Sequence, residues 1–237
     1  MSTPAGGAVT LPRSPTTGEP MTTVARRSLG GLWCFLVMDV SGTLALVISY
    51  TYLWSLNVNN GWAPPGASLN ASQTNAVPAK GTATFATEWP FWAILIGVTC
   101  AMLLMWWGYR QLLSGRPGAL IGLGTLSLIV IVAMLVAQVW QMATFPFGTG
   151  NGAYASAVYA LTASNVAHLL LVAFLALGIV LRTRAGVVSS AVPYQARLVT
   201  YWLMWVSIAF LLGALLTSFL LDSPNVNPTT FGFFTTQ

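Results

Sequence analysis

From Pro117 to Leu181 the sequence contains no Asp, Glu, Lys or Arg. This run is about three times as long as the roughly 20 apolar residues that one membrane-spanning helix needs. Charged residues make up 5% of the whole chain and hydrophobic residues 56%, whereas a soluble domain carries about 25% charged residues. These features exclude a soluble globular domain and predict an all-α, polytopic membrane helical bundle.

Five stretches of the chain are long and apolar enough to form spanning helices. The uncharged run counts as two of them, because the polar, glycine-rich segment 145–153 interrupts it. The predicted transmembrane domain, residues 31–222, lies between a disordered cytoplasmic N-terminal tail, residues 1–30, and an external C-terminal tail, residues 223–237. The predicted helices are 32–54, 90–109, 119–140, 157–181 and 198–221.

The arginines predict the orientation of these helices. With five spans, all eight arginines fall on one side of the membrane, and the single lysine, Lys80, falls on the other. Because cytoplasmic loops collect positive charge, the N-terminus is predicted to be cytoplasmic and the C-terminus external. The net charge of +5 comes from these membrane-flanking residues, so no nucleic-acid partner is expected.

Tryptophans and glycines give weaker indications about packing. Trp33, Trp54, Trp202 and Trp205 lie near predicted helix ends, as other tryptophans do, which is typical of anchors at the membrane interface. Gly118 and Gly122 form a GxxxG pattern that permits close helix contact.

Asp39 is the one acidic residue inside a predicted span. A carboxylate there costs at least a few kcal/mol, so it needs a partner, water or a role. It lies roughly 10 Å from the cytoplasmic end of its span, at 1.5 Å per residue. Two interpretations stay open: a proton-handling or lipid-contact site, or a structural residue between helices.

His168 is the only histidine of the chain and follows Asn165 by three residues, on the same helix face. One histidine cannot supply bis-His haem ligation or a multi-His copper site, so hydrogen bonds from this intramembrane polar pair to neighbouring helices are favoured. Gln138 and Gln141 are expected to bond loop backbone or a partner. The sequence also lacks the common nucleotide-binding, zinc and nucleophile motifs. We therefore expect no catalytic, metal-binding or cofactor-binding residue in this chain.

The fourth span resembles the haem-copper oxidase subunit III family. Tyr154, Ser156, Thr162 and His168 match a motif of that family, and Asn165 stands where the motif has its first histidine. The resemblance covers about residues 32–220, and five helices fit the family's short bacterial form. Further fragments occur in the family's order: the embedded acid Asp39, segments 50–54 and 62–65, Gln138-Val-Trp-Gln141 and Tyr201-Trp202.

The resemblance implies a non-catalytic subunit of a cytochrome c or quinol oxidase in the bacterial plasma (inner) membrane. Such a subunit packs against oxidase subunit I and other oxidase subunits, contacts membrane phospholipid and supports proton uptake, while partner subunits hold the haems and copper. Gln141, Asn165, Leu203 and Val206 replace titratable residues of the family. A proton-collecting role would therefore rest mainly on Asp39.

Two other interpretations stay open. A small transporter or channel-like protein would work without haem partners, although the odd helix number and the absence of an internal repeat count against it. The divergence at polar positions also suits a nitric-oxide-reductase-associated relative of subunit III.

Overall fold

A computed structural model describes residues 18–56, 62 and 85–220 of the chain. Within these residues the protein consists of five α-helices and contains no β-strand. All five helices are long and apolar enough to cross a membrane, which confirms the predicted all-α, multi-pass class. The helices are α1 (Met21–Leu56), α2 (Trp89–Leu113), α3 (Pro117–Ala143), α4 (Ala153–Arg184) and α5 (Tyr194–Phe219).

The first helix begins earlier than the sequence predicts. Residues 21–30, which the composition places in the N-terminal tail, form the first turns of α1. Pro20 precedes this start, and its carbonyl accepts hydrogen bonds from the amides of Thr23 and Val24. The predicted C-terminal tail, residues 223–237, and the N-terminal tail before residue 18 lie outside the described residues.

Four helices form a closed ring, and the fifth lies outside it. Along the ring α2 contacts α3, α3 contacts α4, α4 contacts α5, and α5 contacts α2. The outer helix, α1, packs against α4 and α5 and makes no close backbone approach to α2 or α3 within the described residues. Its buried residues Leu36, Thr43 and Tyr50 recur every seven positions, which gives one stripe facing the ring.

Small residues allow the ring helices to approach closely. A Cβ atom at Gly108 of α2 would lie 3.3 Å from the Cα of Leu120 in α3, and one at Gly124 would lie 3.0 Å from Val180 of α4. The predicted GxxxG pair does not serve this purpose, because nothing lies within 4 Å of a Cβ at Gly118 or Gly122.

The two ends of the bundle differ in chemistry. The arginine end carries the described arginines, which flank the start of α1, the α2–α3 and α4–α5 connections and the start of α5: Arg26, Arg27, Arg110, Arg116, Arg182, Arg184 and Arg197. The aromatic end holds edge-to-face contacts among the rings of Tyr50, Trp62, Phe85, Phe147 and Tyr154. There the Tyr154 hydroxyl accepts a hydrogen bond from the Ala86 amide at 3.1 Å.

Candidate functional site

Asp39 lies at the junction of three helices. Its Oδ2 atom is 2.8 Å from Nε2 of His168 on α4 and accepts a hydrogen bond of 2.5 Å from Nε1 of Trp205 on α5. We call these three residues the Asp39 cluster. The cluster joins the outer helix α1 to two helices of the ring at mid-length of α1.

Aromatic packing beside the cluster holds α1 in the groove between α4 and α5. One turn before Asp39, Phe35 stacks on Trp202 of α5 with ring centroids 4.7 Å apart. The His168 ring lies 6.2 Å from the same indole, measured between centroids. The His168 side chain is 7% exposed and that of Asp39 is 26% exposed, so the acid sits at the edge of the packed interior.

The donors determine what the carboxyl group can do. An indole N–H only donates, so Oδ2 acts as an acceptor toward Trp205. Toward His168 the same oxygen either accepts from a protonated Nε2 or gives its own proton to that nitrogen. The contact between Asp39 and His168 therefore allows a proton to be held at, or moved between, two defined atoms.

Asn165 belongs to a second group of polar side chains, which we call the amide cluster: Gln138, Gln141 and Asn165. Nδ2 of Asn165 donates to Oε1 of Gln138 at 3.4 Å, and Nε2 of Gln138 donates to Oε1 of Gln141 at 2.8 Å. All three residues are buried between α3 and α4. The two glutamines thus bond to each other and to α4, whereas the sequence favoured loop backbone or a partner.

The predicted polar pair, Asn165 and His168, does not form a mutual hydrogen bond. Each side chain instead bonds to a neighbouring helix, Asn165 to α3 and His168 to α1. The expectation that both face neighbouring helices of the same chain is confirmed.

Two tryptophans predicted to be interfacial anchors contribute to packing between helices: Trp202 is buried and Trp205 is partly buried. Trp202 is 2% exposed, and Trp205 bonds to Asp39. Sequence reasoning therefore missed Trp205 as a member of the site. The sequence did contain one signal that could have placed Trp205 beside Asp39. The first and fifth spans are predicted to begin on the same side of the membrane, and each residue lies roughly 10 Å from the start of its span.

Within the described ranges no group of three or more His, Cys, Asp or Glu side chains could hold a metal ion. No protein-family model and no curated protein matches the sequence. The geometry of the Asp39 cluster and the resemblance of its sequence motifs are therefore the features of this chain that bear on its function.

Proposed function

We propose that this chain is a non-catalytic, subunit III-like component of a bacterial respiratory haem-copper oxidase. The observation that supports this proposal is the contact between Asp39 and His168, at 2.8 Å. These are the two titratable positions that the chain shares with the subunit III motifs. They lie 129 residues apart in the sequence, yet the fold brings them together.

In this proposal the chain stabilises oxidase subunit I and supports proton uptake through Asp39, while the partner subunits reduce dioxygen and translocate protons. The bundle offers extensive apolar surface for subunit I, other subunits and phospholipid. Large exposed side chains on three helices include Val37 and Ile48 of α1, Ile129 and Val136 of α3, and Phe174 of α4.

The proposed location is the bacterial plasma membrane, with the arginine end in the cytoplasm. The positive-inside tendency supports this orientation, because the described arginines gather at one end of the bundle. The N-terminus would then be cytoplasmic and the C-terminus external.

The test is a mild-detergent purification of the tagged chain from its native membrane, followed by a reduced-minus-oxidised optical spectrum and mass spectrometry of the partners. The proposal predicts haem bands together with a large polytopic subunit I. An intact, colourless preparation without an oxidase partner would overturn it and favour a transporter. A nitric oxide reductase partner would instead identify the related complex.

A further inference from the structure

Three buried polar atoms near the Asp39 and amide clusters have no hydrogen-bond partner among the described residues: Nδ1 of His168, Nε1 of Trp202 and Nε2 of Gln141. An unsatisfied polar group in the hydrocarbon region costs several kcal/mol. Buried waters commonly satisfy such groups by making about three hydrogen bonds each. Water bound at these atoms would satisfy them.

The buried side-chain amides lie on the side of Asp39 that faces the aromatic end. His168 and Asn165 are one helical turn apart on α4, and Asn165 begins the amide cluster. The amide cluster ends at Gln141, in the last turn of α3. The next connection begins at exposed Thr144, whose hydroxyl donates to the backbone carbonyl of Gln141 at 3.1 Å.

Toward the arginine end the interior around Asp39 is apolar. The buried side chains there include Leu36 of α1, Val172 and Ala176 of α4, and Val199 of α5. The buried hydroxyl of Thr200 donates to the carbonyl of Ala196, one turn earlier in its own helix, at 2.8 Å. A proton leaving Asp39 in this direction would meet no free polar side chain among these residues.

We propose that bound water at Nδ1 of His168 connects the amide cluster to the Asp39 cluster, so that Asp39 exchanges protons with the aromatic end. A proton entering from the aromatic end passes through this water to Nδ1 while the Nε2 proton passes to Oδ2 of the Asp39 carboxylate. The water and the imidazole are then both neutral, the imidazole in its other tautomer, and the carboxyl group of Asp39 is protonated. Gln138, Gln141 and Asn165 orient the water through their amide groups and do not titrate. The reverse sequence returns the proton to the same side.

This inference goes beyond the proposed function and does not depend on an oxidase partner. Under the proposed orientation the aromatic end is external, so the route opens opposite to the cytoplasm. Proton uptake from the cytoplasm, as in the proposed function, would instead reach Asp39 through the exposed part of its side chain. A negative result in the purification of partners would leave the water site unaffected, because the two experiments measure different properties.

The test uses the single histidine of the chain. Histidine labelled with ¹⁵N gives one residue's signals in solid-state NMR of the full chain in lipid bilayers. We expect a cross-peak between Nδ1 of His168 and water protons. A native chain without this cross-peak would overturn the proposal, whatever the behaviour of any variant.

Matched variants test the direction of the route. Asn165→Leu and Gln138→Leu should slow hydrogen–deuterium exchange at the His168 ring by at least about tenfold, equivalent to about 1.4 kcal/mol. Thr200→Val, on the apolar side, should leave the exchange rate unchanged. Equal slowing by Thr200→Val, or unchanged exchange in both leucine variants when the chain is folded, would contradict access from the aromatic end.

Discussion

At the scale of single residues, the carboxyl group of Asp39 needs hydrogen-bond partners from the protein because it lies within a membrane-spanning helix. A carboxyl group at this depth has little water to bond, and few arrangements stabilise it: a paired base, a hydrogen-bond donor or a water-filled cavity. Asp39 has the first two, from His168 and Trp205. The Asp39 side chain is thus hydrogen-bonded to α4 and α5, the two helices against which α1 packs.

Asp39→Leu should lower the free energy of unfolding by about 1–3 kcal/mol, because it leaves polar atoms of His168 and Trp205 unpaired. Asp39→Asn should cost less, since an amide oxygen in the place of Oδ2 can accept from both the indole N–H and a protonated Nε2 of His168. Reversible unfolding in detergent, followed by tryptophan fluorescence, measures both changes. Ser41→Ala is the control, because Ser41 is exposed and, within the part of the chain that the structure describes, its hydroxyl donates only to the carbonyl of Val37 in its own helix. Equal losses for the leucine and asparagine variants would argue against these hydrogen bonds.

Asp39→Asn also separates a structural role from a proton-handling role. Under the proposed function, we expect the variant to assemble normally with the oxidase but to change sustained turnover or proton uptake, because the amide keeps the hydrogen bonds and cannot titrate. The measurement is oxygen consumption and proton uptake by the purified complex. Unchanged turnover and uptake would make Asp39 a structural residue.

At the aromatic end, Tyr154→Phe should release the amide of Ala86, whose hydrogen bond to the Tyr154 hydroxyl is buried. The ring contacts stay in place, so the expected cost is that of one buried unpaired N–H, about 1–3 kcal/mol. Hydrogen–deuterium exchange at Ala86 should become faster. Tyr52→Phe, at an exposed position of α1, should leave that exchange rate unchanged.

The sequence predicts some of the site residues and misses others for a physical reason. Asp39 and His168 are identifiable because a titratable group inside a span is costly wherever it lies. Trp205 is not, since a tryptophan near a span end has the same composition signal whether it faces lipid headgroups or an acid on a neighbouring helix. The packing of α1 on α5 distinguishes these two environments of a tryptophan.

At the scale of helices, the apolar length of each segment predicts the five elements, whereas contacts between helices depend on side-chain shape. The first helix starts at Met21 rather than near residue 32, because a helix can continue beyond the apolar stretch from which its membrane span is predicted. The GxxxG pattern predicts close helix contact at Gly118 and Gly122, whereas the structure has close contacts at Gly108 and Gly124. In lipid, apolar faces resemble one another, so sequence alone does not select the face that packs.

Gly108→Ala should destabilise the bundle by about 1–3 kcal/mol, because the added methyl group would press on the backbone of Leu120 and force α2 and α3 apart. Gly122→Ala, with open space around it, should be neutral or stabilising by up to about 1 kcal/mol through helix propensity. Thermal unfolding of both variants in the same detergent gives the comparison. A similar effect at the two positions would contradict the close approach at Gly108.

At the scale of the whole molecule, the separation of arginines from aromatic rings predicts a single orientation. In a chain with Cys34→Ala and Cys100→Ala, Thr149→Cys at the aromatic end should react with an impermeant maleimide added to intact cells. Ser190→Cys, at the arginine end, should react only after the membrane is permeabilised. Both positions are exposed, and the reverse pattern would place the arginine end outside.

The position of α1 outside the ring has a consequence for synthesis. Asp39 precedes His168 and Trp205 by 129 and 166 residues. At about 5–20 residues per second, the ribosome adds the indole roughly 10–30 s after the acid. The first span therefore enters the membrane before His168 or Trp205 has been synthesised. The groove between α4 and α5, in which α1 packs, forms only after the last span has been inserted.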